Sequence, residues 1–315
     1  MAKSLLALGS RHQRRLYSST SKLTHHGIHV LQCPDQVGIV ARISDCISGH
    51  GANITSTDIF VDMDSRDEPV FNSRCQFSFN PVQWTREEME SSFQEIGKQF
   101  VGKSVVSVPG MDRDMKVAVF ASLQDHCLVN LLHRWQDGML PVQIECVISN
   151  HARGEDTHIW RFLKRHGIPY HYLPTTKANK REDDILELVS GTDFLVLARY
   201  MQILSGDFIA RYGKDIINIH HGLLPSFKGA NPYRQAYEAG VKLIGATTHF
   251  VCEELDAGPI IEQMVERVSH RDTLESFAMK SESLERQCLD RAIKYYCEQR
   301  ILRYGRDKTK TIVFA

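Results

Sequence analysis

The sequence predicts a two-domain α/β protein: a small α+β module followed by a larger, doubly wound and mainly parallel sheet. Three observations predict it. The 315 residues suffice for about two domains. The first third alternates short strands with two helices, and from Met115 onward strands and helices alternate singly. With 42% hydrophobic and 24% charged residues, the composition is globular rather than disordered. No apolar run approaches the roughly 18 residues needed to span a bilayer, so the chain reads as soluble, with no membrane partner.

Ile28–Cys33 is the first strand and ends at Pro34. Val37–Ser48 has helical spacing through Val37, Val40, Ala41, Ser44 and Ile47, and Gly49 and Gly51 stop it. Asn53–Val61 and Val70–Phe79 alternate as strands around a charged loop, residues 62–69. Thr85 can cap a second helix whose first turn carries Glu87 and Glu88, favourable against the helix dipole. Val105–Val108 closes a β-α-β-β-α-β unit of ferredoxin-like order over residues 27–109. Residues 110–114 form a linker.

The second domain covers residues 115–315. Lys116–Ala121 and Val142–Ser149 are its first strands, and a helix ends at His166 before Gly167. Phe194–Ala198 is apolar throughout, as a strand buried on both faces requires. Ile216–Ile219 and Ile244–Val251 follow, and a 3.6-residue period from Thr273 to Arg300 marks a terminal helix.

The balance of 38 Lys+Arg against 38 Asp+Glu conceals an asymmetry. Residues 1–34 hold five basic residues and no acid; removing those five from 38 leaves 33 against 38, a net of −5. A mildly acidic body argues against a nucleic-acid partner. The Arg- and Ser-rich start has the composition of an organelle transit peptide, assigned with its linker to residues 1–26 and cut after Tyr17. The mitochondrial matrix is the first destination and the plastid the second. The eight cysteines form no C-x-x-C pair and no Cys/His spacing typical of zinc, which suits a reducing compartment. Cys146 and Cys252 read as small core residues.

Chemistry concentrates in two segments. In the strand around Ile217, Asn218 and His220 point to one side while Ile217 and Ile219 point to the other. They stand at the carboxyl end of a buried strand, where open α/β sheets place their sites. Asp256 lies in a turn closed by Gly258-Pro259 and can face the same end. An Asn amide can donate to a developing oxyanion, and Asp and His can move a proton. A carboxylate beside the His is expected to raise its pKa above about 6.5 and keep it charged.

Asn218-Ile219-His220, Leu223-Leu224-Pro225 and Leu255-Asp256-x-Gly258-Pro259-Ile260 resemble the active-site signature of the folate-dependent formyltransferase fold. The resemblance places Asn218, His220 and Asp256 on the catalytic Asn, His and Asp. It implies substrate contacts from Met201, Gln202, Leu204, His221, His249, Val251 and Leu255, the pterin meeting backbone in the segment 197–205. Asp35-Gln36-Val37-Gly38-Ile39-Val40-Ala41 and Gly51-Ala52-Asn53-Ile54 resemble an ACT domain. That implies an amino-acid effector near Asp35, Gly38 and Asn53, or a module that only pairs chains, and in either case a homo-oligomer. The loop Ala121–Cys127 contains no glycine and carries Asp125, a poor cradle for a phosphorylated acceptor. Together these features resemble the formyltetrahydrofolate deformylase family. The resemblance implies hydrolysis of 10-formyltetrahydrofolate, with the folate as substrate, water as acceptor and no metal or cofactor. Transfer of the formyl group to a small acceptor and a non-catalytic folate or amino-acid sensor are the alternatives. Two positions depart from the family pattern: Gln202, where arginine is common, and Gly222, where a small polar residue is usual.

Overall fold

The structure, a computed structural model, describes residues 24–63, 69–176, 179–305 and 307–314. The transit-peptide segment to Tyr17 and part of the charged loop at 64–68 lie outside the described residues. No described helix is long and apolar enough to cross a membrane.

The first unit contains β1 (His25–Pro34), α1 (Ile39–Gly49), β2 (Asn53–Asp62), β3 (Val70–Phe79), α2 (Arg86–Gln99) and β4 (Lys103–Ser107). Its four strands form an antiparallel sheet in the order β2-β3-β1-β4. Phe77, Trp84 and Phe93 fill its core, with ring centroids 5.5–5.7 Å apart. Thr85 caps α2 in a reciprocal box: its hydroxyl accepts from Glu88 N, and the Glu88 carboxylate accepts from Thr85 N at 3.1 Å. The buried face of α1 differs from the expected one. Ile39, Ile43, Cys46 and Ile47 point inward, while Val37 and Val40 are exposed. The helix begins two residues later than the apolar pattern suggests, after Gly38 with φ +97°, and this rotates its inner stripe.

The second unit runs through β5 (Met115–Ala121), α3 (His126–Gln136), β6 (Val142–Ser149), α4 (His158–His166) and β7 (Tyr170–Tyr172). It continues with α5 (Glu182–Val189), β8 (Phe194–Leu197), α6 (Gly206–Tyr212), β9 (Ile216–His220), α7 (Pro232–Glu238), β10 (Leu243–Phe250) and β11 (Ile260–Arg267). These strands form one sheet in the order β11-β10-β9-β8-β5-β6-β7. The five from β9 to β7 are parallel, and β10 and β11 extend the sheet antiparallel. The chain steps outward from β5 in one direction through β6 and β7, then returns to β8 on the other side, so the switch point lies between β5 and β8.

The long helix α8 (Leu274–Cys297) closes the sheet, burying Phe277, Leu284, Cys288, Leu289 and Ile293. It stops short of Arg300, and the chain then turns into a hairpin, β12 (Ile301–Tyr304) with β13 (Lys310–Val313), which the helical period does not foretell. This C-terminal segment lies on the first unit. Buried Arg74 donates to Glu298 O at 3.1 Å, Gln32 donates to Arg303 O at 3.0 Å, and Phe60 meets Tyr304 edge-on. Arg303 also pairs with Asp215, at the entrance to β9.

Candidate active site

A cavity of about 260 Å³ opens at the carboxyl ends of β8 and β9. Strand alternation delivers Asn218 and His220 to it while Ile217 stays fully buried in the core. The antiparallel pairing of β9 with β10 sets His249 directly opposite Asn218, and Thr247 opposite His220. Asp256 enters from the turn after β10 with φ +53°, a left-handed conformation that Asp tolerates better than most residues. Gly258 makes that turn: a Cβ there would lie 1.8 Å from Phe250 O.

His249 Nδ1 lies 2.9 Å from Phe250 O, so it carries the proton and leaves Nε2 as an acceptor. Asn218 Nδ2 donates to that Nε2 at 3.1 Å, which fixes the amide and leaves its second N–H free for a ligand. His220 Nε2 donates to Phe227 O at 3.1 Å, and its Nδ1 faces Asp256 Oδ2 at 3.4 Å. The other Asp256 oxygen is 3.7 Å from His249 Nε2, and Oδ2 accepts from Gly229 N at 3.1 Å. Asp256 and His220 Nδ1 thus meet as two lone-pair sites, placed to accept a proton between them.

Burial reverses the expected charge state of the histidine. Desolvation lowers the pKa of His220 below the ordinary 6.5 and outweighs the raising effect of Asp256. The same desolvation lowers His249, and it brings His221, beside Arg199, down to about 2. The site therefore rests with neutral imidazoles at pH 7.

The sequence-derived substrate residues Met201, Gln202, Leu204, His221, His249, Val251 and Leu255 all line this cavity. Met201, Ile203 and Leu255 are exposed apolar side chains at its mouth. Tyr200 and Ile203, from the segment 197–205 expected at the pterin, line it as well, and so does Cys252, which is half-buried at the site rather than packed in the core. Arg199 belongs to the segment 197–205 expected to meet the pterin through backbone, but its side chain is buried and its φ is +65°, which no sequence pattern signals. Gly222 has a packing reason, because a Cβ there would lie 2.7 Å from Pro232 Cβ.

The proposed regulatory residues do not converge. Asp35 and Gly38 lie at the start of α1, after Pro34, which pairs with Val70. Asn53 pairs with Ser78 at the other end of β3, roughly 27 Å away at the rise of a strand. Sequence proximity around a helix misleads here, because α1 carries the chain the length of the sheet before β2 begins. All three residues are exposed.

His126, Cys127 and Glu285 lie close enough together to suggest a metal site among the described residues. Their chemistry does not suit one. The Glu285 carboxylate accepts from His126 Nε2 at 2.7 Å and from Ser281 Oγ at 3.0 Å, and the Arg199 guanidinium already supplies a cation beside it. Burial and Glu285 also raise the Cys127 thiol well above its usual value.

The second unit defines the class first. The family model described as Formyl transferase matches residues 115–293, the sheet and helices that build the cavity. Two Arabidopsis thaliana proteins, formyltetrahydrofolate deformylases 2 and 1, mitochondrial, are 63% and 62% identical over 95% of this chain, covering 90% and 92% of their own lengths. A crystal structure of a formyltetrahydrofolate deformylase from Pseudomonas syringae superposes with a TM-score of 0.82 at 37% identity, covering 94% of this chain and 96% of that one. This chain belongs to the formyltetrahydrofolate deformylase family.

Proposed function

We propose that this chain hydrolyses 10-formyltetrahydrofolate, releasing formate and tetrahydrofolate in folate-linked one-carbon metabolism. The observation that carries the reading is the meeting of Asn218, His220 and Asp256 at one cavity with an apolar mouth. The exposed Met201, Ile203 and Leu255 suit the flat, partly apolar body of a folate, whose formyl end then enters between Asn218 and His220.

The residues divide the work as their hydrogen bonds suggest. The Asp256–His220 pair takes a proton from water as its oxygen bonds to the formyl carbon. The free N–H of Asn218, aimed by His249, meets the oxygen on which charge develops. As the carbon–nitrogen bond breaks, the proton held by the pair passes to the departing folate nitrogen. Water supplies the new oxygen of formate, and the folate is substrate rather than cofactor.

The acid-free start of the chain and the word mitochondrial in the relatives' names support a mitochondrial-matrix protein. The ACT-like first unit supports pairing of chains through its exposed edge strand β2, and an amino-acid effector near Asp35 and Gly38. The test of the central reading is incubation with 10-formyltetrahydrofolate and no acceptor. Formate and tetrahydrofolate should appear in equal amounts over many turnovers. Substrate that stays intact until an amine is added would identify a transferase instead.

A further inference from the structure

In a doubly wound sheet the crevice outside the switch point is the natural place for a ligand. Here it lies between β5 and β8, and side chains fill it. Arg199 follows β8 directly and is only 6% exposed. Its Nη2 donates to Gln124 Oε1, and its Nε stands 3.4 Å from Glu285 Oε2. The loop after β5 that carries Gln124 is tied to both neighbouring strands. Ser122 Oγ donates to Asn150 Oδ1 at 2.7 Å and accepts from Met201 N at 3.0 Å, and Arg153 reaches Asp125 at 2.9 Å.

This arrangement is costly for a core. A non-glycine residue in the left-handed region is strained by about 1–2 kcal/mol, and a buried N–H without a partner costs about 1–3 kcal/mol. Arg199 carries both: φ +65°, and an Nη1 with no hydrogen-bond partner among the described residues. Its guanidinium stands beside the buried Glu285 carboxylate, and it also lines the same cavity as Asn218, His220 and Asp256.

We propose that Arg199, held by Gln124 and Glu285, plugs the switch-point crevice and so reserves the formyl carbon for water. A second substrate larger than water has no approach on that side, and the folate occupies the other. Arg199 is thus a specificity-determining residue, and the proposal rests on the hydrolase reading. Without the plug, an amine can enter. Its nitrogen bonds to the formyl carbon, the bond to the folate nitrogen breaks, and the proton lost by the amine goes to that nitrogen.

The experiment supplies glycinamide, a small primary amine, together with 10-formyltetrahydrofolate, and measures formylglycinamide against formate. Arg199→Gly suits the backbone, because glycine adopts φ +65° without strain, and Glu285 keeps His126 and Ser281. The wild type should give formate alone. Arg199→Gly should yield formylglycinamide at least roughly tenfold above the detection limit, increasing with glycinamide concentration, since a held amine gains the advantage of proximity over bulk water. Arg199→Met, which restores bulk without charge, should return the reaction to formate. If Arg199→Gly fails to fold by circular dichroism, Arg199→Ala carries the same expectation. An unchanged product ratio in the folded small-residue variant overturns the plug, as does formylation of glycinamide by the wild type. Absence of formate from the wild type without amine would instead overturn the hydrolase reading, so the two failures are distinct.

Discussion

Replacing Asp256 by Asn separates chemistry from folding at this site. The carboxylate accepts from Gly229 N at 3.1 Å and faces His220 Nδ1 at 3.4 Å. In Asp256→Asn the amide oxygen at the Oδ2 position keeps the Gly229 contact, and the amide N–H takes the place of Oδ1, facing His249 Nε2 at 3.7 Å. Asn also tolerates the φ of +53° at this position, so the turn survives. What disappears is the proton acceptor. A positioned general base is worth about 10²–10⁴ in rate, or about 3–5 kcal/mol at 1.36 kcal/mol per tenfold. The expected result is a loss of that size in kcat/KM for formate release, with thermal stability within about 1 kcal/mol of wild type. Tetrahydrofolate binding, measured by calorimetry, should stay within roughly threefold, since only the reacting end of the cavity changes. Turnover within tenfold of wild type would refute the assignment of Asp256.

Three further outcomes follow from the same geometry. Asn218→Ala should lower kcat by about 10²–10³ with little change in KM, the cost of one oxyanion donor; a rise in KM alone would make Asn218 a binding residue. Because burial holds His220 below 6.5, kcat/KM should be level between pH 7 and 8 and fall only on the acid side of 6.5; an acid limb centred above pH 7 would contradict this. His29, stacked on Phe93 and held down to about 3 by burial, takes up a proton on unfolding. Its folded pKa lies below the unfolded value, so its stabilising contribution is complete above 6.5 and shrinks as pH falls toward 3. The loss at pH 5 is about 2 kcal/mol. His29→Gln should flatten the fall in melting temperature between pH 7.5 and 5, and an unchanged slope would count against it.

The parts of the site that lie within one strand or one turn were legible in the sequence. Alternation around Ile217 places Asn218 and His220 on one face, and Gly258-Pro259 announces the turn that bears Asp256. What depends on strand register was not. The Asn218–His249 contact needs β10 antiparallel beside β9, and the same kind of information separates Asn53 from Asp35. The charge state of His220 was misjudged because a sequence names a carboxylate partner but hides the depth of burial, and here burial dominates. Arg199 was placed only as part of the backbone segment 197–205, because the role of its side chain lies in a left-handed backbone between two strands that are distant in sequence. The C-terminal hairpin, beyond the helical period that ends at Arg300, went unread because Ile301–Tyr304 is too short to establish a period of its own.

The central claim is that water attacks the formyl carbon. Running the reaction in ¹⁸O-labelled water without any acceptor, and weighing the product formate, tests it most directly. The account predicts one labelled oxygen in each formate released, matched by one tetrahydrofolate. Unlabelled formate, or tetrahydrofolate formed only when an amine is present, would contradict it.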